Sequence, residues 1–372
     1  MDKYIGFDID DKKTIACVVQ EGKPDMYETL PTEINFLKLW LKQQRNSSDK
    51  LHLTFEVSGQ AGWLYDELFD LVDTLTVSNP SKMTWIYRTA KKTDRIDARK
   101  QAVLLQLGEI PKVHMPNHEV RQWRGQIQHR RKLMGSSVQI KNRVRGLVKG
   151  QGYRQGHYGG SWWSKKNRGW LEQLAASSEH LWCDQLGDML EQLSLYEGQI
   201  KRVTKRLDER LKIHPGAVVL MDIPGVGPRT TEAVLAYTDE VERFRRGRDY
   251  CSYFGMTPKL DQSGSVRRVG HISKQGPSVV RWLIVESAWR AIRKSPALKE
   301  FYERVRHGQD KRKKIAIVAT ARKMLSIMRA KLISGEVFNE KLILQQEQLK
   351  RAQQEWERNE EQLRNKMRNF YN

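Results

Sequence analysis

The feature that most constrains this fold is a change of pattern near residue 110. Before it, strand-like and helix-like segments alternate. "KYIGFDI" (3–9) reads as a strand, and "TIACVVQ" (14–20) follows after a short polar turn, together predicting a hairpin. "INFLKLWLKQQ" has helical periodicity, "LHLTFEVSG" (51–59) is a strand ending in a glycine turn, "WLYDELFDLV" is helical, and "LTVSNP" (75–80) is a short strand stopped by Pro80. Such alternation predicts an α/β domain. The pattern then stops. From Val120 to Leu171 there is no Asp or Glu, while Arg and Lys recur throughout. In that stretch Leu133, Ile140, Val144, Leu147 and Val148 can form one helical stripe, and the Gly- and aromatic-rich residues 151–170 read as a loop.

Further on, Leu186, Leu193, Ile200 and Leu207 lie seven apart, with Met189, Tyr196 and Val203 at the intervening positions. That seam fits a short coiled coil, and equally one long helix packed on its own domain. "HPGAVVLMDIPGVGPRTTEAVLAY" (214–237) opens a second domain. Its "IPGVGPRT" resembles a helix-hairpin-helix turn, in which glycines let backbone N–H groups approach a phosphate. A helical, Trp-containing stretch runs to about Leu332. In the tail Leu342, Leu349, Trp356, Leu363 and Phe370 are again seven apart, which predicts an exposed helix with a narrow apolar seam for a partner.

Composition sets the class. The chain has 372 residues, 39% of them hydrophobic, enough for a sizeable core in two or three domains. Its formal net charge is +22, which points to a polyanionic partner, nucleic acid ahead of an anionic membrane. No apolar run approaches the ~18 residues of a spanning helix. The N-terminal "MDKYIGFDID" carries acids where a signal peptide has its apolar core, so the expected location is the cytoplasm. Cys17, Cys183 and Cys251 are widely separated and form no CxxC pair, which argues against a disulfide framework and against structural zinc.

The chemistry is suggested by acids. Asp8 lies on the first predicted strand, in "GFDID", and Glu56 near the end of another, in "FEVSG". Asp94 and Asp97, in "KKTDRIDARK", fit the first turns of a helix and share a face at i, i+3. Four converging carboxylates suit hard divalent cations, Mg²⁺ or Mn²⁺, which assist phosphodiester chemistry. The ordinary reading of an isolated DxxD is local pairing with Lys91, Arg95 or Arg99. The order Asp, Glu, Asp-x-x-Asp on these elements favours the cation site.

"GFDID", "FEVSG", "KKTDRIDARK", "IKNRVRGL", "DIPGVGPRT" and "YFGMTPKLDQSGSVRRVGHISKQG" together resemble the insertion-sequence transposases of the DEDD type, the bridge-RNA-guided recombinases. The resemblance runs in order to about residue 330 and leaves out the tail. It implies a RuvC-like (RNase H-like) α/β domain at 1–115, a basic, aromatic-rich nucleic-acid-binding region at 116–185 and a coiled-coil connector at 186–213. A mainly α-helical transposase domain at 214–335, with its helix-hairpin-helix-like element, and a helical tail at 336–372 complete the expected organisation. It also implies that Asp8, Glu56, Asp94 and Asp97 are the catalytic metal ligands. The nucleophile would be a serine in the transposase domain. Aligned without gaps, Ser263 takes that place, while Gln262, Ser265 and Val266 depart from the family pattern, and Ser265 leaves a second choice. On its own, a serine beside a glycine in a polar loop is ordinarily a turn residue.

The implied activity is recombination: donor and target double-stranded DNA are cut and rejoined through a phosphoserine link, with a non-coding guide RNA choosing the sites. Strand exchange needs several active sites, hence a dimer or tetramer, with the 186–210 heptads as one interface. The organism would be prokaryotic and the active protein nucleoid-associated. Expected nucleic-acid contacts are Arg95 and Arg99 beside the acids and Arg130, Arg131, Lys141, Arg143, Arg145 and Lys149 in the acid-free stretch. Trp162 and Trp163 would stack on bases, and Arg267, Arg268 and Lys274 follow the serine. Two other readings stay open: a metal-dependent nuclease of the Holliday-junction kind with a structural serine, and a basic scaffold without chemistry.

Overall fold

The computed structural model describes residues 1–46, 48–83, 93–177, 180–263 and 266–371. The chain divides into two compact units, 1–121 and 122–372. The first is a mixed α/β sheet and the second is mainly helical. Among the described residues no helix is long and apolar enough to cross a membrane.

In the first unit β1 (Asp2–Ile9), β2 (Lys13–Val19) and β3 (Met26–Pro31) form an antiparallel meander. After α1 (Ile34–Gln44), β4 (Lys50–Glu56) returns parallel to β1. After α2 (Ala61–Leu68), β5 (Thr74–Ser78) pairs parallel to β4. The sheet order is β3-β2-β1-β4-β5. The short α3 (Pro80–Met83) and then α4 (Asp94–Gln106) complete the unit. Strand alternation sorts the side chains of β1 and β4. Ile5, Phe7, Leu53 and Phe55 point to one face and bury against Leu37, Trp40 and Leu41 of α1 and Leu64 and Leu68 of α2. Gly6 and Asp8 point to the other face, where α4 lies.

In the second unit α5 (His118–Gly150) and α7 (Leu181–Lys212) are long helices joined through α6 (Lys165–Ala176). Leu186, Met189, Leu190 and Leu193 of α7 pack with Ile140, Val144 and Val148 of α5 and with Trp170 and Leu171 of α6. Val203, Leu207 and Leu211 share a core with Trp123, Ile127 and Leu133 from the other end of α5. The two helices therefore run antiparallel, and the 186–207 heptads are filled by the chain itself. This corrects the expectation of an oligomer interface there: a self-complementary seam cannot be told from an internal one by spacing alone.

The remaining helices are α8 (Gly216–Met221), α9 (Pro228–Thr238), α10 (Gly247–Tyr253), α11 (Ser278–Lys294), α12 (Pro296–Arg306), α13 (Lys313–Ser334) and α14 (Glu340–Tyr371). A hairpin, β6 (Pro258–Ser263) and β7 (Val266–Ile272), projects between α10 and α11. Sequence patterning did not announce this hairpin, nor edge strand β3, in which Leu30 alone is buried. The loop predicted for 151–170 gives way at Lys165 to α6, whose N-cap Ser164 accepts a hydrogen bond from the Asn167 N–H.

Candidate active site

Glycine 6 brings α4 onto the sheet. A Cβ there would stand 2.1 Å from the Ala98 carbonyl oxygen and 2.7 Å from the Ala102 nitrogen, so the helix backbone lies directly on β1. Buried Gln101 fastens the contact: its amide donates to the Phe7 carbonyl at 3.2 Å, and the Ser78 hydroxyl donates to its carbonyl oxygen at 3.4 Å. Thr93 caps α4, accepting from the Ile96 N–H, and Asp94 and Asp97 occupy the first turn, where the helix dipole favours carboxylates.

Asp8 lies two residues beyond Gly6 and therefore on the α4 face. Phe7 and Phe55 are register partners, so Glu56 is one step further along the adjacent parallel strand, beside Asp8 and on the same face. Two strand ends and one helix start thus bring Asp8, Glu56, Asp94 and Asp97 to one end of one sheet face. They do not close into a cage. Among the described residues no three His, Cys, Asp or Glu side chains are placed to share a metal ion.

A lysine stands among these acids. The Lys13 ammonium donates to Asp94 at 2.7 Å. That hydrogen bond raises the Lys13 pKa above its ordinary value, followed by the Asp94 charge, with Asp10 and Asp8 adding to it. Asp97 is partly buried and pairs with Lys100 at 3.2 Å. All-oxygen donors on two strand ends and a helix start suit a hard cation in type, and Lys13 is the cation this chain supplies itself. Sequence reasoning passed over Lys13, although hairpin register would have found it, because Ile9 pairs with Thr14.

Ser263 ends β6 and is exposed, paired through its backbone with Val266 across the hairpin. It is a strand terminus, where the sequence suggested a polar loop. Ser265, the competing choice, lies outside the described residues, as do Lys91 and Lys92. The hairpin base is fixed by two glycines. At Gly255 (φ 68°) a Cβ would meet the Gln275 carbonyl oxygen at 2.0 Å, and at Gly276 (φ 78°) the Tyr253 carbonyl oxygen at 2.1 Å. Lys274, itself at φ 57°, donates its N–H to the Gly255 carbonyl. Arg268 faces Asp261 across the ladder, Arg267 faces Gln262, and Arg268 and Lys274 are exposed.

The other expected contacts divide. Arg95 is exposed over the Tyr27 ring, and Arg99 pairs with Asp25 at 2.5 Å. Arg131, Arg143 and Lys149 are exposed, and Arg145 is half-buried. Lys141 pairs with Glu197 at 3.0 Å and lies 5.5 Å over the Trp163 ring. Trp162 and Trp163 are half-buried against the α5–α6–α7 core. Arg130 requires correction: it is buried and paired with the wholly buried Glu232. Arg229 joins Glu232 at 3.0 Å and also pairs with Asp208. Arg130 is a structural cation, because composition cannot tell which arginine of a basic helix faces inward.

Comparison with known proteins agrees with this architecture. The profile for DEDD transposases of the IS110 type, described as Transposase, matches residues 5–151. The profile described as Transposase IS116/IS110/IS902 family matches residues 217–303. The chain is 24% identical over 248 residues to a "Probable family 20 transposase" of Pseudomonas aeruginosa, covering 65% of this chain and 71% of that protein. It is 24% identical over 354 residues to a "Pilin gene-inverting protein" of Moraxella bovis, covering 91% of this chain and 98% of that one. The chain belongs to the IS110-type transposases and is a DNA transposase/recombinase.

Proposed function

We propose that this transposase cuts and rejoins donor and target DNA through a phosphoserine intermediate on Ser263, assisted by a divalent cation. The observation that carries the reading is the gathering of Asp8, Glu56, Asp94 and Asp97 at one end of the β1–β4 face by strand register and by α4. The strand order and the antiparallel β2 support an RNase H-like assignment for the first unit. Asp8, Glu56, Asp94 and Asp97 would hold Mg²⁺ or Mn²⁺, which when bound supplies Lewis-acid stabilisation of charge on the reacting phosphate.

Ser263 Oγ bonds to a DNA phosphorus as the bond from that phosphorus to one ester oxygen breaks. The serine loses its proton and the departing DNA oxygen gains one. A hydroxyl of the other DNA then attacks the phosphoserine, re-forming a phosphodiester and freeing Ser263. Arg268, exposed on the same hairpin, and Lys274, exposed just past its end, would hold the phosphate oxygens. The acid-free basic face of α5 and the loop after it would bind the guide RNA, mainly through phosphates. Exchange between two DNAs needs several such sites, so the working form is a homo-oligomer.

The test is denaturing electrophoresis after incubating protein, guide RNA, labelled DNA and Mg²⁺. A covalent protein–DNA adduct lost in Ser263→Ala is expected, and its retention there with loss in Ser265→Ala would move the nucleophile. Cleavage that survives Ser263→Ala but not Asp97→Asn would instead make this a metal-dependent nuclease with a structural serine.

A further inference from the structure

The second unit holds a basic cavity of about 300 Å³ between α10, α12, α13 and α14. Arg248, Arg304, Arg322 and Lys323 line it, with Ser326. One carboxylate enters, that of Glu347 from the tail helix α14. Glu347 is 1% exposed and accepts from Arg304 at 2.7 Å and from Lys323 at 2.8 Å. Burial alone would push its proton affinity up, and those two cations more than offset it, so the carboxylate stays ionised. Arg248 also pairs with Asp249 at 3.9 Å, and the other three cations against Glu347 leave a surplus of positive charge in a cavity much larger than a carboxylate. A ~300 Å³ space is about ten times a water's share of liquid volume.

The tail that delivers Glu347 is held mainly by charge. Glu340 accepts from the Ser295 hydroxyl and the Ala297 N–H at the start of α12. Arg351 pairs with Glu300 at 2.7 Å. Ile343 adds a buried apolar contact and Leu344 a partly buried one. Residues 340, 343, 347 and 351 form one helical face, at three- and four-residue spacing. A helix docked mostly by ion pairs is open to competition from a polyanion.

We propose that this cavity is a binding site for a backbone phosphate of nucleic acid, and that Glu347 occupies it in the free protein as an internal competitor. When nucleic acid engages, phosphate oxygens take the places of the Glu347 oxygens on Arg304 and Lys323, Arg322 and Arg248 add contacts, and α14 is released from α12. Fork-shaped guanidinium groups match phosphate as well as carboxylate, so the exchange needs no rebuilding of the site. The inference rests on the chain acting on DNA, not on Ser263 or the four acids.

The experiment measures affinity for a short labelled DNA duplex, and separately for a single-stranded RNA, across about 50–200 mM salt. Glu347→Gln should tighten binding roughly threefold or more and steepen the log–log salt slope by ~0.9, as for one further phosphate contact. The gain should vanish when Arg322→Ala is added. It should be absent in Glu357→Gln, which removes an equal charge from an exposed site on the same helix. Gain with DNA but not RNA, or the reverse, identifies the phosphate's source. Gain with neither, gain that survives Arg322→Ala, or equal gain in Glu357→Gln overturns the proposal. A second measurement needs no variant at position 347. In the unaltered chain, saturating nucleic acid should speed tryptic cleavage between residues 341 and 364, and unchanged or slower cleavage also overturns the proposal. Ser263→Ala should respond to nucleic acid as the unaltered chain does, so failure of the proposed chemistry would not be mistaken for failure of this site.

Discussion

A methyl group at Gly6 would stand 2.1 Å from the Ala98 carbonyl oxygen, and no rotamer change can relieve a clash between two backbones. Gly6→Ala must therefore lift α4 from β1, and Asp94 and Asp97 move with it. Overpacking of this kind costs about 1–3 kcal/mol. Urea unfolding of the variant should show that loss, and DNA cleavage should fall with it. Asp97→Asn, by contrast, should lose cleavage with little change in the unfolding midpoint. Lys13 gives a test of opposite sign. Its ammonium holds Asp94 at 2.7 Å and lies within the fields of Asp8 and Asp10. Lys13→Met should strengthen Mn²⁺ binding in calorimetric titration, and unchanged affinity would mean that the lysine does not compete at this site. At this scale the acids were legible in the sequence because carboxylates among lysines and arginines stand out. Gly6, Lys13 and the burial of Arg130 were not legible, since each depends on which residue faces it across a strand pair or between helices.

The α5–α7 pair shows what periodicity leaves open at the scale of elements. The heptads of α7 identify a buried stripe correctly, but spacing carries no name for the partner, which is an antiparallel helix of the same chain. Leu193 is wholly buried in that seam. Leu193→Ala should cost about 2–5 kcal/mol of stability in the second unit while leaving the sedimentation mass unchanged. A fall in mass would return the seam to an intermolecular role. The tail divides its faces instead. Its docked face carries Glu340, Ile343 and Glu347, whereas Leu342, Leu349 and Trp356 of the predicted heptad face solvent, at 49%, 65% and 64% exposure. The apolar row that stays exposed is therefore on α14. Farther inside, Glu232 joins Arg130 of α5 to Arg229 of α9, and Arg229 also reaches Asp208 of α7. Glu232→Gln strands two arginines without their shared counter-charge, and thermal unfolding should register about 3–5 kcal/mol.

Over the whole molecule, the surplus charge and the four acids sit in different units. Of the 66 Lys and Arg and 44 Asp and Glu, residues 1–121 hold 17 and 18, which leaves 49 and 26 for residues 122–372. The first unit is thus near neutrality at −1, and the second carries +23. The total of +22 was plain from composition, and so was a polyanionic partner. The acid-free stretch from Val120 to Leu171 also showed where part of that charge lies, whereas the near-neutrality of the first unit was masked, because the lysines and arginines around Asp94 and Asp97 gave it a basic look that its other acids cancel. A near-neutral unit has little long-range attraction for DNA and must have its substrate brought to it, whereas a unit at +23 collects counterion-release energy from every phosphate it touches. The cores are separate as well, with Phe7 and Phe55 buried in one and Tyr250 and Phe254 in the other. Expressed apart, residues 122–372 should bind duplex DNA with nearly the salt slope of the full chain. Residues 1–121 should show almost none under the same conditions. A steep slope in the first unit would mean that the cations beside the acids bind DNA on their own account.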